Sequence, residues 1–305
     1  MKALVPTGKL HAMVDFADVA EPAPARNEAV IAVKAFSINR GETFLLERPA
    51  TAWRPGKDVA GNVVAAAADG SGPPVGARVV AHPAGNGWAE RVAVDTARLT
   101  PIPDAMHVTS AAALPLAGLT ALRLLRAAGS LAGRRVLMTG ASGGVGHYFV
   151  ELAAAIGAEV TAVSGSAERG RRLLELGAHR VVTNVLDAEP EMDVVFESVG
   201  GTSMSAALTR LAPRGTLVWF GQASRETAAI DFFAFFNGRR SATIRHFDYT
   251  DSDIADGVDL ATLVRLTASG RLHPQIGVVS PWQDTSTRIA DLRARRVLGK
   301  AVLLL

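Results

Sequence analysis

A glycine-rich segment, TGASGGVG at 139–146, is the clearest candidate binding site in this sequence. Small residues let the backbone come close to a phosphate, and the first N–H groups and positive dipole end of a following helix attract one. The same string also suits an ordinary tight turn. Here it follows a strand pattern, RRVLMTG (134–140), and precedes an amphipathic helix pattern, VGHYFVELAAAIG (145–157). That context is required of a dinucleotide-binding turn, so we predict that a pyrophosphate binds here.

The residues after the next predicted strand, EVTAV (159–163), indicate which dinucleotide fits. Proteins that bind NAD place a carboxylate there, about 20 residues beyond the turn, to hold the ribose 2′-hydroxyl. This chain has Ser164, Gly165 and Ser166, followed by Arg169. Two hydroxyls and a guanidinium suit a 2′-phosphate, which predicts NADPH. In the alternative interpretation, Ser166 only caps the next helix and Arg169 is a solvated charge; capping and phosphate binding are compatible.

Composition excludes several classes of protein. The 305 residues contain no cysteine, which removes disulfides, thiolate nucleophiles and thiolate metal ligands, and the seven histidines are not at ligand spacing. With 49% hydrophobic and 20% charged residues the chain is typical of globular proteins, and a net charge of +3 does not demand a nucleic-acid partner. No apolar run reaches the roughly 20 residues of a membrane span. The N-terminus lacks a secretory pattern, so we expect a cytoplasmic protein without a membrane partner.

Three segments differ in their periodicity. Short strand patterns broken by Pro and Gly fill residues 1–114 and predict an all-β lobe. Strand and helix patterns alternate over 115–247, which predicts a doubly wound parallel sheet, with SATIRHF (241–247) as an edge strand. Segment 248–305 is predicted to hold one helix and to end in a strand, KAVLLL, that returns to pair with the first lobe.

Several motifs resemble one family. These are SINRGE (37–42), PGKDVAGNVV (55–64), AAALPLAGLTALRLL (111–125), the glycine-rich segment with its flanks, DVVFESVGG (193–201) and LGKAVLL (298–304). In this order and spacing they are similar to the zinc-independent quinone oxidoreductase, or zeta-crystallin-like, branch of the medium-chain dehydrogenase/reductase superfamily. The resemblance covers essentially the whole chain. It implies an α/β fold with a GroES-like β-barrel lobe and a Rossmann doubly wound parallel sheet.

The resemblance also bears on metal binding. Zinc-dependent relatives have a cysteine ligand in the segment like SINRGE and a His-Glu pair in the segment like PGKDVAG. This chain has Ile38 or Asn39 at the first place, and Lys57 with Asp58 at the second. A lysine ammonium cannot replace a metal-binding imidazole, so no metal is expected.

The family's coenzyme contacts can be carried over by position. They imply that Asn39 lies near the nicotinamide, that Thr120 lies on the helix leading to that pocket, and that other residues border the coenzyme at the carboxyl edge of the sheet. Those others are Gly143, Gly144, Val145 and Gly146 at the pyrophosphate, then Ser198, Val199, Phe220 and Gly221, and Arg295 from the last segment. The nearby Arg293 and Arg296 are equal alternatives to Arg295. Asn184 replaces a tyrosine that this branch can have beside the 2′-phosphate, which weakens the expected NADP selectivity.

The function implied is reduction of quinones or α,β-unsaturated carbonyl compounds by direct hydride transfer from NADPH. Candidate donors to the acceptor oxygen are Asn39, Lys57 and a backbone N–H, with solvent able to deliver the final proton. Lys57 alternatively pairs with a structural carboxylate. A non-catalytic NADPH-binding protein and an enoyl-thioester reductase of a biosynthetic pathway are the alternatives. Four phenylalanines between 232 and 236 are expected to line either an acceptor pocket or an interface. The edge strand and the resemblance predict a homodimer.

Overall fold

The computed structural model describes residues 1–236 and 238–305, and they form two compact units. The first unit comprises 1–119 with 253–305, and the second comprises 120–252. The sequence placed the changes of periodicity at 114/115 and 247/248, about five residues earlier. The first division falls inside a helix, where the pattern of apolar residues has no break.

The strands and helices have the following bounds. The strands are β1 Lys2–Pro6, β2 Val14–Asp18, β3 Glu28–Ile38, β4 Asp58–Ala65, β5 Arg78–Ala81, β6 Arg91–Asp95, β7 Leu99–Pro101, β8 Arg135–Met138, β9 Glu159–Val163, β10 Arg180–Val182, β11 Met192–Glu197, β12 Leu211–Trp219, β13 Thr243–His246, β14 Ile276–Pro281 and β15 Lys300–Leu304. The α-helices are α1 Arg40–Leu45, α2 Val108–Ala112, α3 Pro115–Ala128, α4 Gly144–Ala155, α5 Ala167–Glu175, α6 Gly201–Leu208, α7 Asp256–Ala268 and α8 Thr285–Arg293.

The first unit is built on a seven-stranded sheet in the order β14-β15-β3-β4-β5-β7, with β6 also paired to β3. The long strand β3 consists mostly of Ala, Val, Ile and Phe and is fully buried from Ala35 to Ile38, where it lies between β4 and β15. Its core includes Phe36 stacked on Trp88 with ring centroids 5.4 Å apart. This strand therefore fixes the positions of Ser37 and Asn39 at its carboxyl end.

The C-terminal segment returns to the first unit, as the sequence predicts. Strand β15 pairs antiparallel with β3, and the register places Ala301 opposite Ile38. The prediction of a single helix in this segment is wrong, because α8 and the strand β14 are also present. Gly277 and Pro281 lie within β14, so local composition there is typical of a loop, and only pairing with β15 makes it a strand.

The second unit contains six parallel strands in the order β10-β9-β8-β11-β12-β13, which confirms the doubly wound sheet. The chain reverses its direction of progress across the sheet between β8 and β11. In such sheets ligands bind beyond the carboxyl ends of the strands at this point. The turns after β8, β9, β11 and β12 meet there.

The edge strand β13 is shorter than predicted and all four of its residues are exposed. The apolar residues on either side of it, Ala242 and Phe247, are half-exposed. Three of the four phenylalanines between 232 and 236 lie in a short 3₁₀ turn, Phe233–Phe236. None of the helices in the described residues is long and apolar enough to cross a membrane.

Candidate active site

The glycine-rich turn joins β8 to α4 and brings its backbone very close to the helix. Gly140 has a φ of 62°, in the left-handed region that favours glycine. A Cβ atom added to Gly146 would lie 2.3 Å from the carbonyl oxygen of Ala141. Any side chain there would push the first turn of α4 away. The sequence pattern and this close approach therefore agree on a tight strand-turn-helix unit.

This turn fits a pyrophosphate. Gly143 precedes α4 with an extended backbone and no side chain to cap the helix. Gly143, Gly144 and Val145 are half-exposed, while Gly146 is buried. The first N–H groups of a helix have no partner within the helix, and together with the dipole they bind anions. These residues are able to hold the diphosphate of a dinucleotide.

The turn after β9 has the geometry expected of a helix cap. Ser166 Oγ accepts a hydrogen bond from the backbone N–H of Arg169 at 3.3 Å, and Ser164 Oγ donates to the Ser166 carbonyl at 2.9 Å. Ser164 is buried and Arg169 is half-exposed. A Cβ atom at Gly165 would meet nothing within 4 Å, so there is space beside the turn. The cap is present, and it holds Ser166 and Arg169 beside one another.

The turns after β11 and β12 lie against each other at the same edge. Phe220 N–H donates to the carbonyl of Glu197 at 2.9 Å, and a Cβ atom at Gly221 would lie 3.0 Å from the carbonyl oxygen of Ser198. Ser198, Val199, Phe220 and Gly221 are all half-exposed. The structure thus brings together the four residues that the sequence assigned to this edge.

Two further predicted residues of the second unit differ in exposure. Thr120 is buried on α3, with 6% of its surface exposed. Asn184 is exposed, and its Oδ1 accepts a hydrogen bond from the N–H of Leu186 at 2.9 Å. Asn184 therefore caps a short 3₁₀ turn.

No sequence pattern indicated a role for His147, which directly follows the glycine-rich turn on α4. Its Nδ1 donates to the carbonyl of Gly143 at 2.9 Å, and its Nε2 is buried without a hydrogen-bond partner among the described residues. Burial lowers the pKa of His147 to about 4, and the nearby guanidiniums of Arg169 and Arg172 act in the same direction. A neutral imidazole therefore stabilises the phosphate-binding turn through its hydrogen bond to Gly143.

In the first unit, Asp58 is the centre of a buried polar cluster. Its Oδ2 accepts hydrogen bonds from Ser37 Oγ at 2.7 Å and Lys300 Nζ at 2.9 Å. The same oxygen accepts from Asn39 Nδ2 at 2.8 Å, and Oδ1 accepts from the N–H of Leu116 at 2.8 Å. Burial raises the pKa of Asp58, but Lys300 and the other donors outweigh it, so the pKa lies well below its usual range.

The amide of Asn39 is held on both sides within this cluster. Its Oδ1 accepts from Lys300 Nζ at 2.5 Å, and its Nδ2 donates to Asp58 and, at 3.3 Å, to Glu42 Oε2. Burial and the charge of Asp58 raise the pKa of Glu42. The sequence predicted Asn39 as a contact of the nicotinamide; in the structure its amide is a fixed element of the first unit.

Lys57 and the arginines of the last segment have separate surroundings. The backbone N–H of Lys57 donates to Glu42 Oε1 at 3.1 Å, and the side chain is half-exposed. Arg293 pairs with Glu47, and Arg296 pairs with Asp291, each at 2.7 Å. Arg295 is exposed and has a φ of 59°. Of the three alternatives for the coenzyme contact, two thus make ion pairs within the first unit.

Comparison with known proteins finds two dehydrogenase domain models and relatives along nearly the whole chain. The model of the alcohol dehydrogenase GroES-like domain matches residues 25–104, and that of the zinc-binding dehydrogenase matches 144–262. The quinone oxidoreductase of Pongo abelii is 30% identical, covering 94% of this chain and 92% of that protein, and the one of Mus musculus is 28% identical with the same coverage. A mycobacterial protein solved in complex with NADPH superposes with a TM-score of 0.90, at 26% identity and 100% coverage of both chains.

The chain belongs to the quinone oxidoreductase family, in the medium-chain dehydrogenase/reductase superfamily. This confirms the resemblance, the GroES-like lobe and the Rossmann sheet. Residues 144–262, which match the zinc-binding dehydrogenase model, contain no cysteine. Within residues 1–236 and 238–305, no three or more His, Asp or Glu side chains are grouped as metal ligands would be.

Because His147 is buried in its neutral form, we expect the free energy of unfolding to fall as the pH is lowered. Its folded pKa of about 4 is below the ordinary value of 6.5, so the unfolded chain takes up the proton first as the pH falls. Its contribution is full above pH 6.5 and is lost toward pH 4, by about 3 kcal/mol in all. We expect His147→Leu to lose less stability than the unmodified protein between pH 7.5 and 5 in urea unfolding.

The matched control is His179→Leu, which changes an exposed histidine of the same unit. This variant should keep the acid-induced loss of unfolding free energy that His147 contributes. If His147→Leu and the unmodified protein lose the same free energy of unfolding on acidification, His147 is not buried in its neutral form.

Proposed function

We propose that this protein is an NADPH-dependent, zinc-independent oxidoreductase that reduces quinones or α,β-unsaturated carbonyl compounds. The observation that carries the proposal is the pair of turns at one edge of the second unit. The turn after β8 fits a pyrophosphate, and the turn after β9 holds two serines and Arg169 where NAD enzymes place a carboxylate. Relatives named as quinone oxidoreductases, and a relative solved with NADPH, support the same coenzyme and acceptors.

NADPH supplies the hydride when it is bound, so the protein has to hold the coenzyme, exclude water and stabilise charge that develops on the acceptor oxygen. The residues of the second unit hold and orient the coenzyme. We propose Asn39 and Lys57 as the polar residues of the acceptor side. Electron-poor acceptors need no metal to take up a hydride, which fits a chain with Lys57 at a place where zinc-dependent relatives have a ligand.

The proposal is tested by following NADPH oxidation with a panel of quinones, alkenals and enoyl thioesters, with and without a chelator. We expect turnover of quinones or enones that the chelator leaves unchanged. Turnover restricted to enoyl thioesters would assign the protein to a biosynthetic reductase, and NADPH binding with no turnover of any acceptor would make it a non-catalytic binding protein. Activity that the chelator abolishes would contradict the metal-free mechanism.

A homodimer is also proposed. The edge strand β13 has no partner on its outer side among the described residues of this chain, and Ile244 on it is 38% exposed. Just before it, Phe232 lies 5.5 Å from Phe233 and 5.7 Å from Phe236, measured between ring centroids. All three are more than 60% exposed. An open strand edge beside an exposed aromatic cluster is typical of an interface with a second copy.

The side chain of Arg169 gives the first prediction for this function. Arg169→Ala should weaken NADPH binding by roughly 1.5–3 kcal/mol, the contribution of a charge-assisted hydrogen bond, and should barely change NADH binding. The measurement is a fluorescence titration with each coenzyme. Arg171→Ala removes an exposed arginine from the same helix and serves as the control. Equal losses for NADPH and NADH would show that Arg169 does not contact the 2′-phosphate.

The edge strand β13 gives a second prediction, which concerns the homodimer. Ile244→Pro removes a backbone donor and restricts φ, so it should shift the protein from dimer toward monomer or aggregate. Arg180→Pro, on the opposite edge strand β10, is the control and should leave the mass unchanged. Light scattering or sedimentation at micromolar concentration measures both. A monomeric mass for the unmodified protein would rule out the dimer.

A further inference from the structure

The last residue of β11, Glu197, is a carboxylate with none of its surface exposed. The five residues before it in this strand are mostly apolar, and the proposed function does not use it. Burying a carboxylate is costly unless hydrogen-bond donors surround it. The position of Glu197 therefore depends on the donors that meet it.

Three of these donors come from the two residues before α6 and from its first turn. Glu197 Oε1 accepts from the N–H of Val199 at 3.1 Å and from Ser203 Oγ at 3.0 Å. Its Oε2 accepts from the N–H of Gly200 at 2.9 Å. The carboxylate thus occupies the positive end of α6 as an internal anion. The N-terminus of α4 has no such side chain, which leaves it for a phosphate.

The fourth donor comes from the other turn. Thr139 directly precedes Gly140 in the turn after β8. Its Oγ1 lies 3.1 Å from Glu197 Oε1. The same hydroxyl accepts from the N–H of Ser198 at 3.0 Å, and Ser198 Oγ donates to the Thr139 carbonyl at 3.2 Å. One buried carboxylate therefore links the phosphate-binding turn after β8 to the turn after β11.

These two turns are also in close contact. A Cβ atom at Gly140 would lie 2.7 Å from Ser198 Oγ, so the two turns pack closely enough that only glycine fits at this position. A shift of the turn after β11 would displace the backbone that receives the pyrophosphate. The hydrogen bonds of Glu197 span the same two turns.

We infer that Glu197 is a positioning residue for the coenzyme, which holds Ser198 and Val199 at a fixed place relative to the phosphate-binding turn. This inference rests on the proposed coenzyme site. Glu197 has no exposed surface with which to contact a coenzyme or an acceptor. It acts through the two turns, so its loss changes how NADPH binds and not the hydride transfer itself.

Glu197→Gln tests this. Glutamine has the same shape, but it replaces one accepting oxygen with an NH₂ group, and all four contacts of Glu197 come from donors. One donor then faces another. We expect the Kd and KM for NADPH to rise about 10-fold, since charge-assisted bonds to a buried group are lost. The kcat at saturating NADPH should stay within about 2-fold, because transition-state contacts are kept.

The matched control is Asp193→Asn on the same strand. Asp193 Oδ2 accepts from the N–H of Arg135 at 2.8 Å and so also links β11 to β8, but at the opposite end of the strands. This variant should keep the KM for NADPH unchanged even where its thermal stability falls. An equal rise of KM in Asp193→Asn would mean that any weakened link between these strands acts in this way, which would overturn the inference.

Thr139→Val provides a second test that does not depend on how well Glu197→Gln folds. It removes the hydroxyl that joins Glu197 to the phosphate-binding turn after β8, and it keeps the shape of the side chain. We expect a rise of KM for NADPH in the same direction. A fall of kcat with KM unchanged in either variant would indicate loss of folded protein only and would contradict the inference.

Binding of NADPH without an acceptor, measured by calorimetry, separates this inference from the proposed function. No binding to the unmodified protein would overturn both. Binding to the unmodified protein, with Glu197→Gln and Thr139→Val binding equally well, would overturn the positioning role alone.

Discussion

A carboxylate that is shut off from water has to be met by donors, and this constraint organises both units of the protein. In the first unit Asp58 gathers Ser37, Asn39 and Lys300 around one oxygen. In the second, Glu197 gathers donors from the turns after β8 and β11. In each case the carboxylate joins chain segments that are distant in sequence. The surrounding strands and turns have to lie where their donors can reach the carboxylate.

The ion pair of Asp58 with Lys300 illustrates what such a contact does. Both side chains are almost completely buried, and a buried pair adds little net stability because both charges lose their hydration. Removing one partner is a different matter, because an unpaired buried charge remains. The pair therefore fixes the arrangement of β4 and β15 and orients the amide of Asn39. The register of the C-terminal strand β15 is thus fixed by this ion pair as well as by backbone pairing.

The sequence predicts this protein well where the information is local. The glycine-rich turn could be recognised because Gly140 and Gly146 answer a backbone requirement that only glycine meets, and β9 was predicted with its observed bounds. The return of β15 followed from its lack of a partner elsewhere. The polar clusters could not be predicted in this way. Asn39 and Lys300 are 261 positions apart, and no local pattern indicates that they touch. His147 and Glu197 were likewise hidden inside a helix and a strand whose apolar neighbours dominated the pattern.

The proposed function depends on hydride passing directly from NADPH to the acceptor without a metal ion. The most direct measurement uses an enone as acceptor and NADPH deuterated at C4 of the nicotinamide, with each diastereomer supplied in turn. Direct transfer requires that one diastereomer delivers its deuterium to the β-carbon of the reduced product, in buffer containing a chelator. A product whose β-carbon carries only hydrogen from the solvent with both diastereomers would contradict it.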